Sequence, residues 1–410
     1  MSLIKPFRGL RPAPGRAADV AAPPYDVLSS DEARLRAAGK PWSFLHISKP
    51  EIDLPPETDP YAPAVYAKAA ENLERMLSAG VLVRDEAPGY YAYQLQMGDH
   101  VQTGLVAAAS VSAYNANLIR KHEFTRPDKE DDRVRQIEAL GAQTGPVLLA
   151  CPSDPVVDAL IDRMHQGQPE ADVTADDGIR HRIWAVHDAG LIAQVTAAFD
   201  ALPALYIADG HHRSAAAARV AAARHPAADG RKLSCDHFLS VIFPQRQMKI
   251  LDYNRVVKDL NGLSSDAFLA RVEERFLVSP ACGAVKPSCH GEIGLYLSGR
   301  WYRLNIDPKL FVQDPVENLD VSLLSAHVLG PILGITDLRR DKRIDFVGGI
   351  RGLGELEKRV DSGEMAAAFA MHPTRMDQLM AVADSGQVMP PKSTWFEPKL
   401  ADGLVSHVLD

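Results

Sequence analysis

The chain has 410 residues, 46% of them hydrophobic and 24% charged, with a formal net charge of −8. That length is more than one hydrophobic core usually serves and predicts two or three lobes. The acidic balance argues against a duplex-DNA binder, which needs a basic face to replace counterions.

The first residues, Met1 to Phe7, hold no apolar signal core. No apolar run in the chain approaches the roughly 20 residues needed to span a bilayer. A cytoplasmic protein is the expectation. From Phe7 to Asp26 the chain is rich in proline and arginine and is predicted to lie as an extended arm. Pro23-Pro24-Tyr25-Asp26 is a rigid piece that either packs its ring on the core or presents Asp26 to a site. Residues 62–79 read as a helix, with Val65, Ala69, Leu73 and Met76 on one face and Gly80 as its cap. Residues 90–97 alternate as a strand, Gly98-Asp99 turn, and 105–111 return.

A charged stretch, 120–133, follows. Within it, Glu123 beside His122 can act as a general base toward a hydroxyl, although composition alone fits an ordinary charged loop. The acidic run Asp128 to Asp132 reads as a solvated face more readily than as a metal site. Val147–Ala150 suggests a buried strand, and helical patterns sit at 155–165 and 190–201. Beyond residue 236, strands are predicted at 237–243 and 247–251, with a β-rich piece at 291–306. Helices are predicted at 264–276, 318–333, 351–361 and 374–385. The four cysteines form neither a disulfide framework nor a zinc spacing. Cys282, Cys289 and His290 lack the second half of a metal site and read as a loop. Strands and helices alternate irregularly, which favours a mixed α+β fold. The expected division is 1–255 and 256–410.

The strongest chemical signal is Asp209-Gly210-His211-His212-Arg213. It lies between an apolar run, Leu205–Ala208, and the alanine-rich stretch Ser214–Arg224, so it reads as strand, tight turn and helix start. A helix N-terminus offers unpaired N–H groups and the positive end of a dipole. Gly210 allows close approach of a ligand, and Arg213 can fork onto phosphate. The segment is therefore a candidate phosphate cradle. Asp209 repels phosphate; it either caps the helix or binds Mg²⁺ or orients a histidine. Lys392, Ser393 and Thr394, after a proline pair, resemble phosphate contacts on a loop, without the glycine spacing of a P-loop.

Taken together, several segments resemble the domain-of-unknown-function 1015 family. They are Pro6–Arg11, Ala22–Val27, Ser43–His46, Lys121–Thr125, Ile207–Arg213, Asn254–Val257 and Met389–Thr394, and they span nearly the whole chain. The Asp209–Arg213 core is also similar to that of free serine kinases with a ParB/sulfiredoxin-like fold. This implies a ParB/sulfiredoxin-like core with an added C-terminal α+β lobe. It also implies a kinase moving a phosphoryl group from pyrophosphate, or a nucleotide, to the hydroxyl of free L-serine. By this resemblance Asp209, Gly210, His211, His212 and Arg213 would hold the donor, with Mg²⁺ on Asp209. Glu123 would take the hydroxyl proton. Asp26, His122, Lys392, Ser393 and Thr394 would contact substrate or phosphate, and Arg8, Arg126 or Lys392 could hold the acceptor's carboxylate. The expected partners are a small phosphorylated donor and an amino acid, not a membrane or nucleic acid, with a homo-oligomer left open. Two other readings stand beside it: a non-catalytic ParB-like binder of nucleotide or nucleic acid, and a phosphohydrolase or nuclease using His211 and His212.

Overall fold

A computed structural model describes residues 2–227 and 231–410. The chain forms two compact units, each mixing helices with sheets. The first holds the residues up to Met248 together with Pro398–Asp410, and the second is Lys249–Glu397. The division therefore falls at 248 rather than at the expected 255, and the closing segment returns to the first unit. Its strand Ser406–Val408 lies between Gly9–Pro12 and Ala142–Gln143, bonded on both sides in a four-stranded sheet. Backbone pairing of this kind satisfies groups that would otherwise be left open.

The large sheet of the first unit has nine strands. In chain order they are β1 (Ile4–Lys5), β2 (Tyr90–Met97), β3 (His100–Ser110), β4 (Ile119–Arg120), β5 (Val147–Cys151), β6 (Ala171–Thr174), β7 (Arg180–Val186), β8 (Leu205–Asp209) and β9 (His237–Pro244). The spatial order is β4-β8-β5-β9-β3-β2-β7-β6, with β1 added against β3. β8 runs parallel to β4 and antiparallel to β5. The end of β4, the end of β8 and the start of β5 therefore meet at one rim. β5 is buried at every residue, as a near-continuous apolar run requires.

Two helices leave that rim. Helix α1 (Pro63–Ser78) precedes them; α2 (Pro127–Leu140) follows β4, and α3 (His211–Arg224) follows β8. α2 takes in the second half of the charged stretch, 127–133, including the acidic run Asp128 to Asp132. Of its apolar residues Ile137 and Leu140 are buried, and so are the polar Asp132 and Gln136. Asp132 accepts from the Tyr66 hydroxyl at 2.9 Å and pairs with Arg133 at 2.6 Å. The expected extended arm instead holds one short strand, Gly9–Pro12, and one helical turn, Ala17–Val20, before a 3-10 turn at Tyr25–Val27.

The hairpin β2–β3 turns at Gly98, whose φ is 59°. Further along β3, Gly104 leaves no space: a Cβ there would stand 2.7 Å from the Ile242 carbonyl oxygen and 2.8 Å from the Phe243 ring. Gly104→Ala is therefore expected to destabilise the first unit by roughly 1–3 kcal/mol, read as a lower midpoint in urea.

In the second unit six antiparallel strands form one sheet. Their order is Phe276–Ala281, Arg300–Ile306, Glu292–Leu297, Ala367–Met371, Tyr253–Val257 and Ile344–Gly348. A separate pair joins Lys249–Leu251 to Trp395–Glu397. No helix among the described residues is long and apolar enough to cross a membrane.

Candidate active site of the first unit

Strand β8 is buried from Leu205 to Ala208. It delivers Asp209 to the rim, where Gly210 takes a φ of 99° and starts α3. A Cβ at Gly210 would lie 3.1 Å from Arg213 Nε and 3.4 Å from Val147 Cα, on a backbone that suits only glycine. Gly210→Ala is expected to lose about 1–3 kcal/mol of stability and to displace Arg213, which thermal unfolding and activity would read together.

No side chain caps α3. The cap position belongs to Gly210, so Asp209 is not the cap that sequence allowed. Its carboxylate stands 3.4 Å from Lys399 Nζ and 3.9 Å from Arg213. Partial burial opposes ionisation, but Lys399 and then Arg213 outweigh it and hold the carboxyl down at about 2.

The two histidines hold the loop that follows β4. His211 is 4% exposed, and its ring meets that of His122 edge to face, with centroids 4.5 Å apart. The backbone N–H of His122 makes a long hydrogen bond of 3.5 Å to His211 Nε2. The backbone N–H of Arg126 donates to His212 Nε2 at 3.0 Å. An Nε2 that accepts leaves the ring proton on Nδ1. His211 Nδ1 faces Glu123 Oε2 at 3.7 Å. Burial, and next to it His122, push the His211 pKa well below the ordinary histidine value, so the ring is neutral at pH 7. Burial likewise takes His122 down to about 4. Glu123 itself is half-exposed and faces solvent on its other side.

Arg213 is ringed by acceptors. It donates to the Pro146 carbonyl and lies 3.8 Å from Asp26 and 3.9 Å from Asp209. Burial works against its charge, but Asp26 and Asp209 raise its pKa and keep it charged. Asp402 faces the same guanidinium and is 2% exposed. Burial lifts its carboxyl to about 7 against the pull of Arg213. Asp402 is fixed by paired backbone bonds with Ala22, of 3.1 and 2.9 Å, and by the backbone N–H of Tyr25. Arg133 stacks on the Tyr25 ring at 3.9 Å. Tyr25, Arg133, Arg213 and Asp402 border a cavity of about 40 Å³, room for a few waters and too small for a substrate.

The fold thus gathers Asp26, His122, Glu123, Asp209, Gly210, His211, His212 and Arg213 at one rim. Lys392, Ser393 and Thr394 belong to the second unit. Arg8 donates to the Asp85 carbonyl, and Arg126 pairs with Asp128 at 2.7 Å. Sequence did not single out Asp402 or Arg133, nor the meeting of Lys399 with Asp209. No local pattern marks them, since Lys399 is 190 positions from the carboxylate it meets. Among the described residues, no three His, Cys, Asp or Glu side chains are grouped to hold a metal ion.

No curated protein matches the chain. Among solved structures, a free serine kinase variant in complex with AMP aligns with 70% of this chain and 90% of its own, at 15% identity and a TM-score of 0.35. SbnI with a C-terminal truncation, from Staphylococcus aureus, aligns with 72% and 84%, at 11% identity and a TM-score of 0.34. A conserved hypothetical protein from Pyrococcus furiosus aligns with 70% and 91%, at 15% identity and a TM-score of 0.33. Residues 4–322 match a family described as a protein of unknown function, DUF1015. With that match over most of its length, the chain belongs to the DUF1015 family.

Proposed function

We propose that the first unit is a small-molecule phosphotransferase that moves a phosphoryl group onto the hydroxyl of free L-serine, from pyrophosphate or a nucleotide. A ParB/sulfiredoxin-like core for this unit is part of the same reading. The observation that carries it is the pinning of the Glu123 loop to both histidines of a helix that no side chain caps. One element offers N–H groups and positive dipole to a phosphate; the loop beside it offers a carboxylate to an acceptor. Phosphoryl transfer needs such positioning and charge neutralisation more than covalent chemistry.

In this reading Glu123 accepts the proton of the serine hydroxyl. The serine oxygen forms a bond to phosphorus while the bond from phosphorus to the leaving phosphate breaks. His211, neutral and with its ring proton on Nδ1 facing the carboxylate 3.7 Å away, orients Glu123. His212 fixes the loop through the Arg126 N–H. Arg213 acts chiefly on its neighbours, because three carboxylates already surround it; it sets Asp209 and Asp26 in place. The side chains alone do not form a Mg²⁺ cage. Mg²⁺ usually arrives with phosphates and takes one or two carboxylates, and Asp209, ionised well below neutral pH, fits that share. Such an ion would neutralise charge on the transferring group.

The test is direct: purified protein, Mg²⁺, L-serine, and pyrophosphate, ADP or ATP in turn, with phosphoserine as the readout. Phosphoserine is expected with at least one donor. Folded protein that makes none with any donor overturns the proposal, and phosphate release that ignores serine would make the protein a hydrolase.

A further inference from the structure

The second unit contains a cation that no carboxylate neutralises. Arg255, on the strand Tyr253–Val257, is fully buried. Its guanidinium donates to the Tyr253 carbonyl and, at 2.9 Å, to the Lys392 carbonyl, while Nε has no partner. Burial pushes its pKa down to about 9 against the pull of the Tyr253 phenol, and no carboxylate opposes that shift. A buried charge without a counter-charge is held at a steep cost in solvation.

The turn that receives this hydrogen bond is built with unusual constraint. Ser393 Oγ donates to the Pro390 carbonyl at 2.7 Å, and Thr374 Oγ1 donates to the Ser393 carbonyl at 2.8 Å. Side chains therefore hold the carbonyls of Pro390, Lys392 and Ser393. Lys392 is exposed and sits at φ 60°, a conformation a residue with a Cβ rarely adopts. In a trans peptide the C=O and the following N–H point opposite ways. The N–H of Ser393 thus points away from Arg255, and the N–H of Thr394 points away from Thr374. Neither has an acceptor among the described residues. The Lys392 ammonium, 5.6 Å from the Tyr253 ring centroid, forms no ion pair among them either. Successive N–H groups left without acceptors on one turn make an anion-binding concavity, and strain held in place by surrounding bonds is common at ligand clamps.

We propose that this turn is an oxyanion-binding nest. It takes a phosphate group on the N–H groups of Ser393 and Thr394 and the ammonium of Lys392, with Arg255 behind it as a fixed positive charge. Such an anion would offset a buried charge that the protein otherwise leaves uncompensated. The nest stands apart from the proposed reaction of the first unit. Its ligand is a phosphate oxyanion, either free or at the end of a larger phosphorylated molecule.

The experiment follows backbone amide resonances of the full chain by NMR while inorganic phosphate, and separately pyrophosphate, is added at constant ionic strength. The Ser393 and Thr394 amides are expected to shift saturably. Lys392→Gly keeps the left-handed turn and removes the charge, so it should weaken that binding about tenfold, the size of one charge-assisted hydrogen bond. Tighter binding of pyrophosphate would identify the end of a larger molecule, and equal binding a single phosphate; both support the nest. Amides of Ser393 and Thr394 that stay still, or that titrate identically in Lys392→Gly, overturn it. If phosphate moves the His212 and Arg213 amides alone, the nest falls and the reading of the first unit stands.

Discussion

Glu123→Gln is expected to lower kcat for phosphoserine formation by about 10²–10⁴-fold, the usual contribution of a positioned general base, while KM changes little. Glutamine keeps the shape of the side chain and the contact with His211 Nδ1, 3.7 Å away. It cannot accept the hydroxyl proton. The side chain is half-exposed, and the loop beneath it is held by backbone N–H groups donating to His211 and His212. Folding should therefore be unaffected, and unchanged thermal unfolding is the control. A variant with wild-type kcat would remove Glu123 from the chemistry. His211 and His122, driven below their ordinary pKa by burial, are weak bases and poor substitutes for the carboxylate.

Arg213→Met should have the largest effect on stability. The guanidinium is nearly buried and stands among Asp26, Asp209 and Asp402. Removing one partner of a buried charged group typically costs about 3–5 kcal/mol, because the carboxylates left behind stay desolvated. The double variant Arg213→Met, Asp402→Asn should recover part of that loss. Strictly additive losses in denaturant unfolding would show that the two groups do not interact. Asp402 also predicts a pH dependence. Its folded pKa, about 7, lies above the ordinary carboxyl value. The stability it contributes is complete below the unfolded pKa of about 4 and is lost as pH rises through about 7. Asp402→Asn should flatten that decline, whereas a wild-type stability that rises between pH 4 and 7 by the same amount in both proteins would contradict it.

Much of the fold was legible because apolar periodicity is local. The helix expected at 62–79 is Pro63–Ser78, and the strand expected at 90–97 is Tyr90–Met97. The turn with Gly210 was legible for the same reason: an apolar run, a glycine and an alanine-rich stretch allow few conformations. Helix α2 was not, because its buried face includes Asp132 and Gln136, which periodicity counts as polar. What those residues bury against is set by Tyr66, Arg133 and the Ile47 carbonyl, all distant in sequence or polar. The candidate site divides in the same way. Glu123 and the two histidines announce themselves by type, but their roles as donor, acceptor and staple depend on β4 lying parallel to β8. Lys399 and Asp402 depend on the return of the chain after residue 397, which no short segment encodes.

That return has a consequence for the order in which the protein is made. Asp209 and Lys399 are 190 positions apart, so at about 5–20 residues per second the ribosome needs roughly 10–40 s to follow one with the other. During that interval Asp209 lacks its lysine, Arg213 lacks Asp402, and the strand Gly9–Pro12 lacks its neighbour Ser406–Val408. The second unit is contiguous and can complete its own sheet in that time. Nascent chains would therefore carry the six-stranded sheet of the second unit while the first unit still waits for Lys399, Asp402 and the strand Ser406–Val408.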